Sequence, residues 1–458
     1  MKINALELFL KQRRFDLIFK YLYLKYPDNP YAKYAYIENI RAFNNFFEEC
    51  PSSGIPKNSK EDFINTFDEI YKSIKNEGFN PAFGVIPISN QGEIADGAHR
   101  LAVCACLNKD IEVRDIGFSD NLYDYRLFRY RKMDESAMDW GALEYVKLNQ
   151  NAYIVNLHSA VVHNLDEEVE KILEKYGFIY YKKEIQLSLN AYVNLNKLSY
   201  GSFWQGANWI GNVENKFKGA KKHAELSRGK GVNPLRAYVF VCDNFDNVLK
   251  AKSEIRKLCN LGNYSVHIND TREEAIWLAM TYFNKNSLDL INIRPFAYED
   301  YKFDSYIDEL KKLAFDKNID LDDICASGST PLDVFGIRKS QDLDFLYCGS
   351  GDFYIQTGVL SNHDSQLEYY PYSKKEIIKN PEYHFYYKGL KFISLNVLYE
   401  MKKKRGEVPK DINDCKDIKR ALKRSKPPFR IYQKIKSGPN RMIVLFECIR
   451  IRYKKRKK

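Results

Sequence analysis

The sequence predicts a multidomain chain of mixed α/β and α+β class. Three observations carry this. The chain has 458 residues, and domains run at roughly 100–200 residues each. Strand-like apolar runs alternate with amphipathic helix-like runs along much of its length. Hydrophobic residues make up 45% of the chain, enough for ordinary packed cores.

Residues 1 to about 48 read as helical. The loop "CPSSGIPKNS" follows, and Ser59 is placed to cap the helix "KEDFINTFDEIYKSIKNEG", with Gly78 as its stop. "FGVIPIS" reads as a strand, "NQGE" as a turn and "IAD" as a second short strand. Gly97 breaks it, "AHRLAVCACLN" continues as a helix, and "DIEVRDIGF" returns as a strand. This α-β-β-α-β order makes a compact α/β unit over residues 1–150.

Residues 151–300 form a small central α/β unit. "RAYVFVCDN" is a buried strand followed by the helix "FDNVLKAKSEIRKLCN"; "YSVHIN" is the next strand, followed by "DTREEAIWLAMTYFN". Strands alternating with helices predict a small parallel or mixed sheet. Thr271 and Glu274 have capping-box spacing. His267 and Asp270 stand at a strand end, where site residues of α/β sheets often lie, although a structural histidine satisfied by its neighbours has the same signature. "GSFWQGANWIGN" is a Gly- and Trp-rich loop that packs on the surface or lines a pocket.

Residues 301–428 form the third unit: the helix "YEDYKFDSYIDELKKLAFDKNID", the strand "ICASGS" and the strand "DLDFLYC", predicted to belong to a mixed sheet with helices. Residues 429–458 are a basic amphipathic tail. Its last nine residues, "RIRYKKRKK", hold seven Lys or Arg against a chain net charge of +12. Such a cluster suits an anionic membrane face, nucleic acid, or a solubilising role. Nine scattered cysteines include Cys104-x-Cys106, but no second pair completes a zinc cage, so buried free thiols in a reducing cytosol are expected. No window approaches the roughly 18 apolar residues of a membrane helix, and the N-terminus has no cleavage-site pattern. A cytoplasmic protein is expected, with peripheral contact to the inner membrane face through the tail.

The sharpest chemical signal is "ASGSTPLDVFGIRKSQDLDFLY". Gly328-Ser329 follows an apolar strand, and Asp342-Leu343-Asp344 opens a second one. Side chains alternate along a strand, so Asp342 and Asp344 project from one face. Two carboxylates that close repel unless a cation lies between them. Mg2+ suits them, being hard and oxygen-seeking, and bridges to phosphates. Gly328 lets a phosphate approach the backbone, and the Ser329 hydroxyl can donate to it.

This constellation resembles the DNA polymerase beta-type nucleotidyltransferase superfamily: a Gly-Ser turn, a short helix, then D-x-D on the next strand. The resemblance covers roughly residues 305–425. It implies a nucleoside triphosphate substrate, Asp342 and Asp344 as metal-holding catalytic residues, and triphosphate contacts from Gly328 and Ser329. It also implies a third carboxylate on a later strand, for which Glu368 is preferred over Asp364. In "KFISLNVLYEMKKKRGEVPKDINDCKDI", Lys402 and Arg405 match the family's triphosphate contacts, beside Lys410 and Asp411, the latter suited to orient a base. A solvated helix face explains each of these residues alone equally well.

"IADGAHRLAV" resembles the ParB/sulfiredoxin-like superfamily, over about residues 55–120. Its G-x-H-R signature lies at a strand-to-helix turn, and its free-serine kinases show a similar Asp-Gly-x-His-Arg. The implied phosphate site uses Asp96, Gly97, His99 and Arg100: a helix N-terminus, close approach at Gly97, and charge-assisted donors. Ala98 stands where sulfiredoxin chemistry needs cysteine, which excludes the reductase. Glu61, Asp62 or Glu93 are the candidates for an upstream catalytic acid.

Together these readings predict a magnesium-dependent transferase using ATP or CTP, moving a nucleotidyl or phosphoryl group to a small acceptor such as a sugar or amino acid. Surface polysaccharide biosynthesis in bacteria is the expected setting. The rivals are a ParB-like nucleotide-dependent DNA-binding protein or nuclease, with DNA the less favoured partner, and a toxin- or antitoxin-type nucleotidyltransferase that modifies RNA or protein.

Overall fold

Three sheets organise the chain. The computed structural model describes residues 1–48, 56–117, 123–202 and 208–425. The basic tail, and part of the Trp-rich loop, lie outside the described residues.

The first sheet joins β1 (Lys2–Asn4), β2 (Ile86–Ile88) and β3 (Asp110–Asp115) in the order β1-β3-β2. β1 runs antiparallel to β3, and β2 parallel to it. The expected all-helical start is therefore corrected: the first residues form an edge strand, three residues long and too short to show a period. The expected strand "IAD" reduces to a single bridge between Ile88 and Ile94. The helix Lys60–Glu77 starts and stops as predicted. The Ser59 side chain accepts from the Asp62 N–H, and Gly78 closes the end at φ +84°.

The second sheet holds β4 (Ala152–Leu157), β5 (Phe178–Ile185), β6 (Leu235–Val241) and β7 (Val266–Ile268) in the order β5-β6-β4-β7. Every pairing is antiparallel, which corrects the expected parallel or mixed sheet. The helix Asp166–Tyr176 carries the chain from β4 to β5, and the helix Phe245–Cys259 carries it from β6 to β7. Each of these crossovers skips one strand, and the skipped places are filled by strands of opposite direction. The β-α-β-β-α-β order with interleaved halves is the ferredoxin-like split topology. Thr271 caps the helix Arg272–Tyr282 as expected, but Glu274 turns away from the reciprocal bond and reaches the Asp270 N–H and His267 instead.

The third sheet holds β8 (Ile324–Ser327), β9 (Leu343–Tyr347), β10 (Leu360–Asn362), β11 (His384–Tyr387) and β12 (Leu390–Ile393) in the order β10-β9-β8-β12-β11. It is mixed, as predicted. β8/β9 and β11/β12 are antiparallel, while β9/β10 and β8/β12 are parallel.

Buried apolar side chains form two continuous clusters. One runs from Ala5 to Ile291, takes in Tyr386 of β11 and serves the first two sheets together; the other runs from Leu290 to Ala421 around the third. Polar clamps join them. Lys147 Nζ donates to both carboxylate oxygens of Asp322, at 3.0 and 3.2 Å. The Asn284 and Asn286 side-chain amides donate to the carbonyls of Pro381 and His384. Among the described residues, no helix is long and apolar enough to cross a membrane. The seven described cysteines are free.

Candidate functional site

The acidic pair is built by β8, β9 and β10 side by side. Ser327, the last residue of β8, stands opposite Asp344 on β9. The chain then turns through Gly328 at φ +60° into the short helix Thr330–Val334. A Cβ at position 328 would lie 2.1 Å from Asp344 Oδ2. Glycine is thus required twice, once for the left-handed backbone and once to leave room for the carboxylate. Asp342 directly precedes β9 and shares the face of Asp344 two residues on.

β10 lies parallel beside β9 and places Ser361 opposite Asp344. The Ser361 hydroxyl donates to Asp344 Oδ1 at 2.6 Å. His363 follows two residues later on the same face, its own N–H bonded to the Phe345 carbonyl. It is 8% exposed. Its Nδ1 meets Ser327 Oγ and Tyr370 Oη, each at 3.2 Å, and its Nε2 faces Asp344 Oδ2 at 3.7 Å. Burial lowers the His363 pKa, against the pull of the Asp344 carboxylate, and the nearby Arg405 and Lys402 charges add to the lowering. The ring is therefore neutral near pH 7.

Four sequence expectations change here. Glu368 is exposed on the 3-10 turn Asp364–Tyr369, not on a strand, and Asp364 pairs with Lys374 at 2.8 Å. The places beside Asp344 belong to Ser361 and His363, a hydroxyl and an imidazole. Ser329 Oγ is tied to Ser340 Oγ at 2.9 Å, and Ser340 Oγ bonds in turn to the Asp342 carbonyl, so this hydroxyl braces the loop that carries the acidic pair. Lys402 is 1% exposed and lies between Asp411 (3.1 Å) and Asp414 (2.8 Å), so it does not stand on a solvated helix face. Arg405 forks onto Asp411, with both bonds at 2.8 Å, and Arg338 forks onto Asp414. Burial opposes ionisation of Asp411, but its bonds to Arg405 and Lys402 bring it down to about 2.

Carboxylate and imidazole donors meet elsewhere too. Among the described residues, one group of three or more has all donors within 4.8 Å: His163, Asp166 and Glu184. There Asp166 is already paired with Arg236 at 2.9 Å and Lys182 at 3.5 Å, so its charge is spent. Asp342, Asp344 and His363 do not close to that distance; Asp344 and His363 are the assembled part, and Asp342 stands further out.

The N-terminal motif is packed more tightly than expected. Gly97 has φ +82° and opens the helix Ala98–Cys106, and a Cβ there would lie 2.5 Å from Ile86 Cδ1. Arg100 donates to the Gly84 carbonyl and lies against Gly97. His99 Nε2 meets Tyr36 Oη at 3.1 Å, and its ring stands edge-on to Phe67. Burial, then the nearby Lys20 and Lys57 charges, hold its pKa well below the usual value. The expected cationic donor at His99 is therefore a neutral ring. Asp96 is exposed. Of the candidate acids, Glu61 is exposed, Asp62 accepts the Asn58 N–H, and Glu93 pairs with Arg13 at 3.5 Å.

Two clusters escaped the sequence reading. Asp16, 1% exposed, binds Arg14 and Lys20 at 2.9 and 2.8 Å; the run "RRFDLIFK", with four charges on one apolar segment, carried that signal. His158, just past β4, is buried with neither ring nitrogen bonded, 6.4 Å from the His223 ring. His267 is a satisfied histidine, bonded to Glu274 at 2.6 Å and Tyr200 at 3.3 Å, and Asp270 pairs with Lys252. A cavity of about 720 Å³, lined among others by Lys197, Trp277, Asp304, Tyr387 and Lys388, opens at β11. That is the edge of the third sheet opposite the acidic pair.

No protein-family model matches this chain, and no curated protein or solved structure matches it either.

Proposed function

We propose that the chain is a divalent-cation-dependent transferase that uses a nucleoside triphosphate and acts through Asp342 and Asp344. One observation carries the reading. Asp344 is about five-sixths buried, its Oδ1 is held by Ser361, and its Oδ2 lies in a notch that only glycine at 328 leaves open. A carboxylate fixed on one oxygen and open on the other, with a second carboxylate two residues away, suits a divalent cation. Bound there, such an ion would neutralise charge on the triphosphate during an in-line displacement.

The chain's own residues divide the remaining work. Ser361 orients Asp344, and Ser329 and Ser340 brace the loop before Asp342. Lys402, Arg405 and Arg338 are neutralised by Asp411, Asp414 and Glu407, and this network pins the helices Leu395–Arg405 and Lys410–Ser425 to each other and to the turn that carries Arg338. The acceptor is a small hydroxyl- or amine-bearing molecule.

The test is calorimetric titration of each nucleoside triphosphate with Mg2+ into wild type, the Asp342→Asn/Asp344→Asn variant and Arg100→Ala. The double variant is expected to lose cation-dependent binding while Arg100→Ala keeps it. Loss with Arg100→Ala alone would move the working site to the first unit. A wild type that binds no triphosphate would end the reading.

A further inference from the structure

The sequence suggested an all-oxygen cation site completed by a third carboxylate. The side chains that flank Asp344 are different. Ser361 is consumed as a donor to Oδ1. His363 is the remaining neighbour, and three features set it apart from a packing residue.

It is more than nine-tenths buried. Its Nδ1 is anchored by Ser327 and Tyr370, which fixes the ring plane. Its Nε2 has no hydrogen-bond partner among the described residues and points at an Asp344 oxygen that likewise accepts none. Their 3.7 Å separation is too long for a hydrogen bond. It is the spacing of two donors that share one ion at about 2.1 Å each, which stand about 3–4 Å apart. An imidazole oriented through one nitrogen and open at the other is the usual arrangement of a metal-binding histidine, with the outer partners setting its tautomer.

We infer that His363 is a direct ligand, through Nε2, of the divalent cation held by Asp344 and Asp342, and that the site consequently takes Mn2+ in preference to Mg2+. The inference rests on the transferase reading above for the presence of a cation, and adds the identity of its third ligand. The chemistry follows from donor type. Mg2+ is bound almost wholly through oxygen and gives up water reluctantly. Nitrogen donors favour first-row transition ions over Mg2+, and Mn2+ is the one of these that shares the carboxylate and water ligands of Mg2+. The single Asp344–His363 edge is preformed. Asp342, half-buried at the mouth, closes the set when the ion arrives.

The test uses the full-length protein freed of metal, with Mn2+ and Mg2+ alone as probes. Binding is measured by calorimetry, and Mn2+ is also followed by pulsed electron paramagnetic resonance. Wild type is expected to bind Mn2+ about tenfold or more tighter than Mg2+ and to show nitrogen coupling to the bound Mn2+. His363→Asp supplies an oxygen in the same place; it should abolish the nitrogen coupling and narrow the Mn2+/Mg2+ ratio by about tenfold. Asp344→Asn should lose both ions. If wild type binds Mn2+ without nitrogen coupling, and His363→Asp leaves the ratio unchanged, the His363 inference is overturned while the transferase reading stands. If wild type binds neither ion, with or without nucleotide, the transferase reading fails as well. Should His363→Asp not fold, the nitrogen coupling of wild type alone decides.

Discussion

Ser361 and Asp344 face each other across the parallel β9/β10 ladder, and the serine hydroxyl donates to the carboxylate at 2.6 Å. This bond is the one hydrogen bond to the Asp344 side chain among the described residues, and it fixes which oxygen is left for a ligand. Ser361→Ala should leave the fold intact and weaken divalent-cation binding by about tenfold, because groups that orient a ligand matter nearly as much as the ligand itself. Calorimetric cation titration with a parallel melting curve checks this. A variant with unchanged affinity would show that Asp344 does not need the bond.

Gly328→Ala is the steric counterpart. The backbone at φ +60° costs an alanine about 1–2 kcal/mol, and the new Cβ would meet Asp344 Oδ2 at 2.1 Å. The carboxylate must swing away. The expected result is a modest fall in the urea midpoint and loss of cation binding. Loss of stability with full cation binding would contradict the notch.

Lys402 tests a buried charge. Replacing it by methionine leaves Asp411 and Asp414, 1% and 3% exposed, short of their shared cation. Each aspartate keeps its arginine, so the cost lies below the figure of about 3–5 kcal/mol for a buried charge left with no partner. The neighbouring Lys403, with its side chain 63% exposed, should change stability by less than about 0.5 kcal/mol when replaced by alanine. Urea unfolding of both variants separates the two outcomes.

Acid should loosen the fold through its buried histidines before the lowered carboxylates Asp16 and Asp411 titrate. Burial holds His99, His158 and His384 well below their usual pKa, and burial beside the His267 ring lowers His223 to about 4. In the unfolded chain these rings take up protons near about pH 6.5. Below that pH the unfolded state binds more protons, so stability is lost as pH falls from about 6.5 towards the folded values. Asp16 and Asp411 are shifted the other way, and their contribution disappears only below about pH 4. Urea midpoints should be level between about pH 8 and 7 and fall towards about pH 5, less steeply in His158→Gln. A level profile throughout would refute the neutral-histidine picture.

The legible parts of the fold were the local ones. The β8 turn to β9 is contained in about twenty residues, and its glycine, its apolar flanks and the alternation of Asp342 with Asp344 all sit in one window. Ser59, Gly78 and Thr271 were legible as caps for the same reason. Strand direction in the central sheet was not, because the neighbours of β6 are β4 and β5, paired with it across 50 residues or more. Ser361 and His363 lie in "LSNHD", a polar run that reads as loop, and gain meaning only when β10 is laid against β9. Lys402 looked solvated because its partners arrive on the next helix. His99 looked cationic because its cover, Tyr36 and Phe67, comes from elsewhere in the chain.

The polar clamps between the two cores have a consequence for how this chain is divided and reused. The segment that carries the acidic pair is not a portable cassette. Cut away near residue 300, it would present Asp322 without Lys147 and would leave the carbonyls of Pro381 and His384 without the amides of Asn284 and Asn286. Those partners come from helices that continue the first core, so the earlier sequence acts as a keystone for the later site. Harmful changes at Lys147 or Asn284 would then be felt as loss of the distant chemistry, and shuffling of this unit onto another chain would need a new surface to receive it.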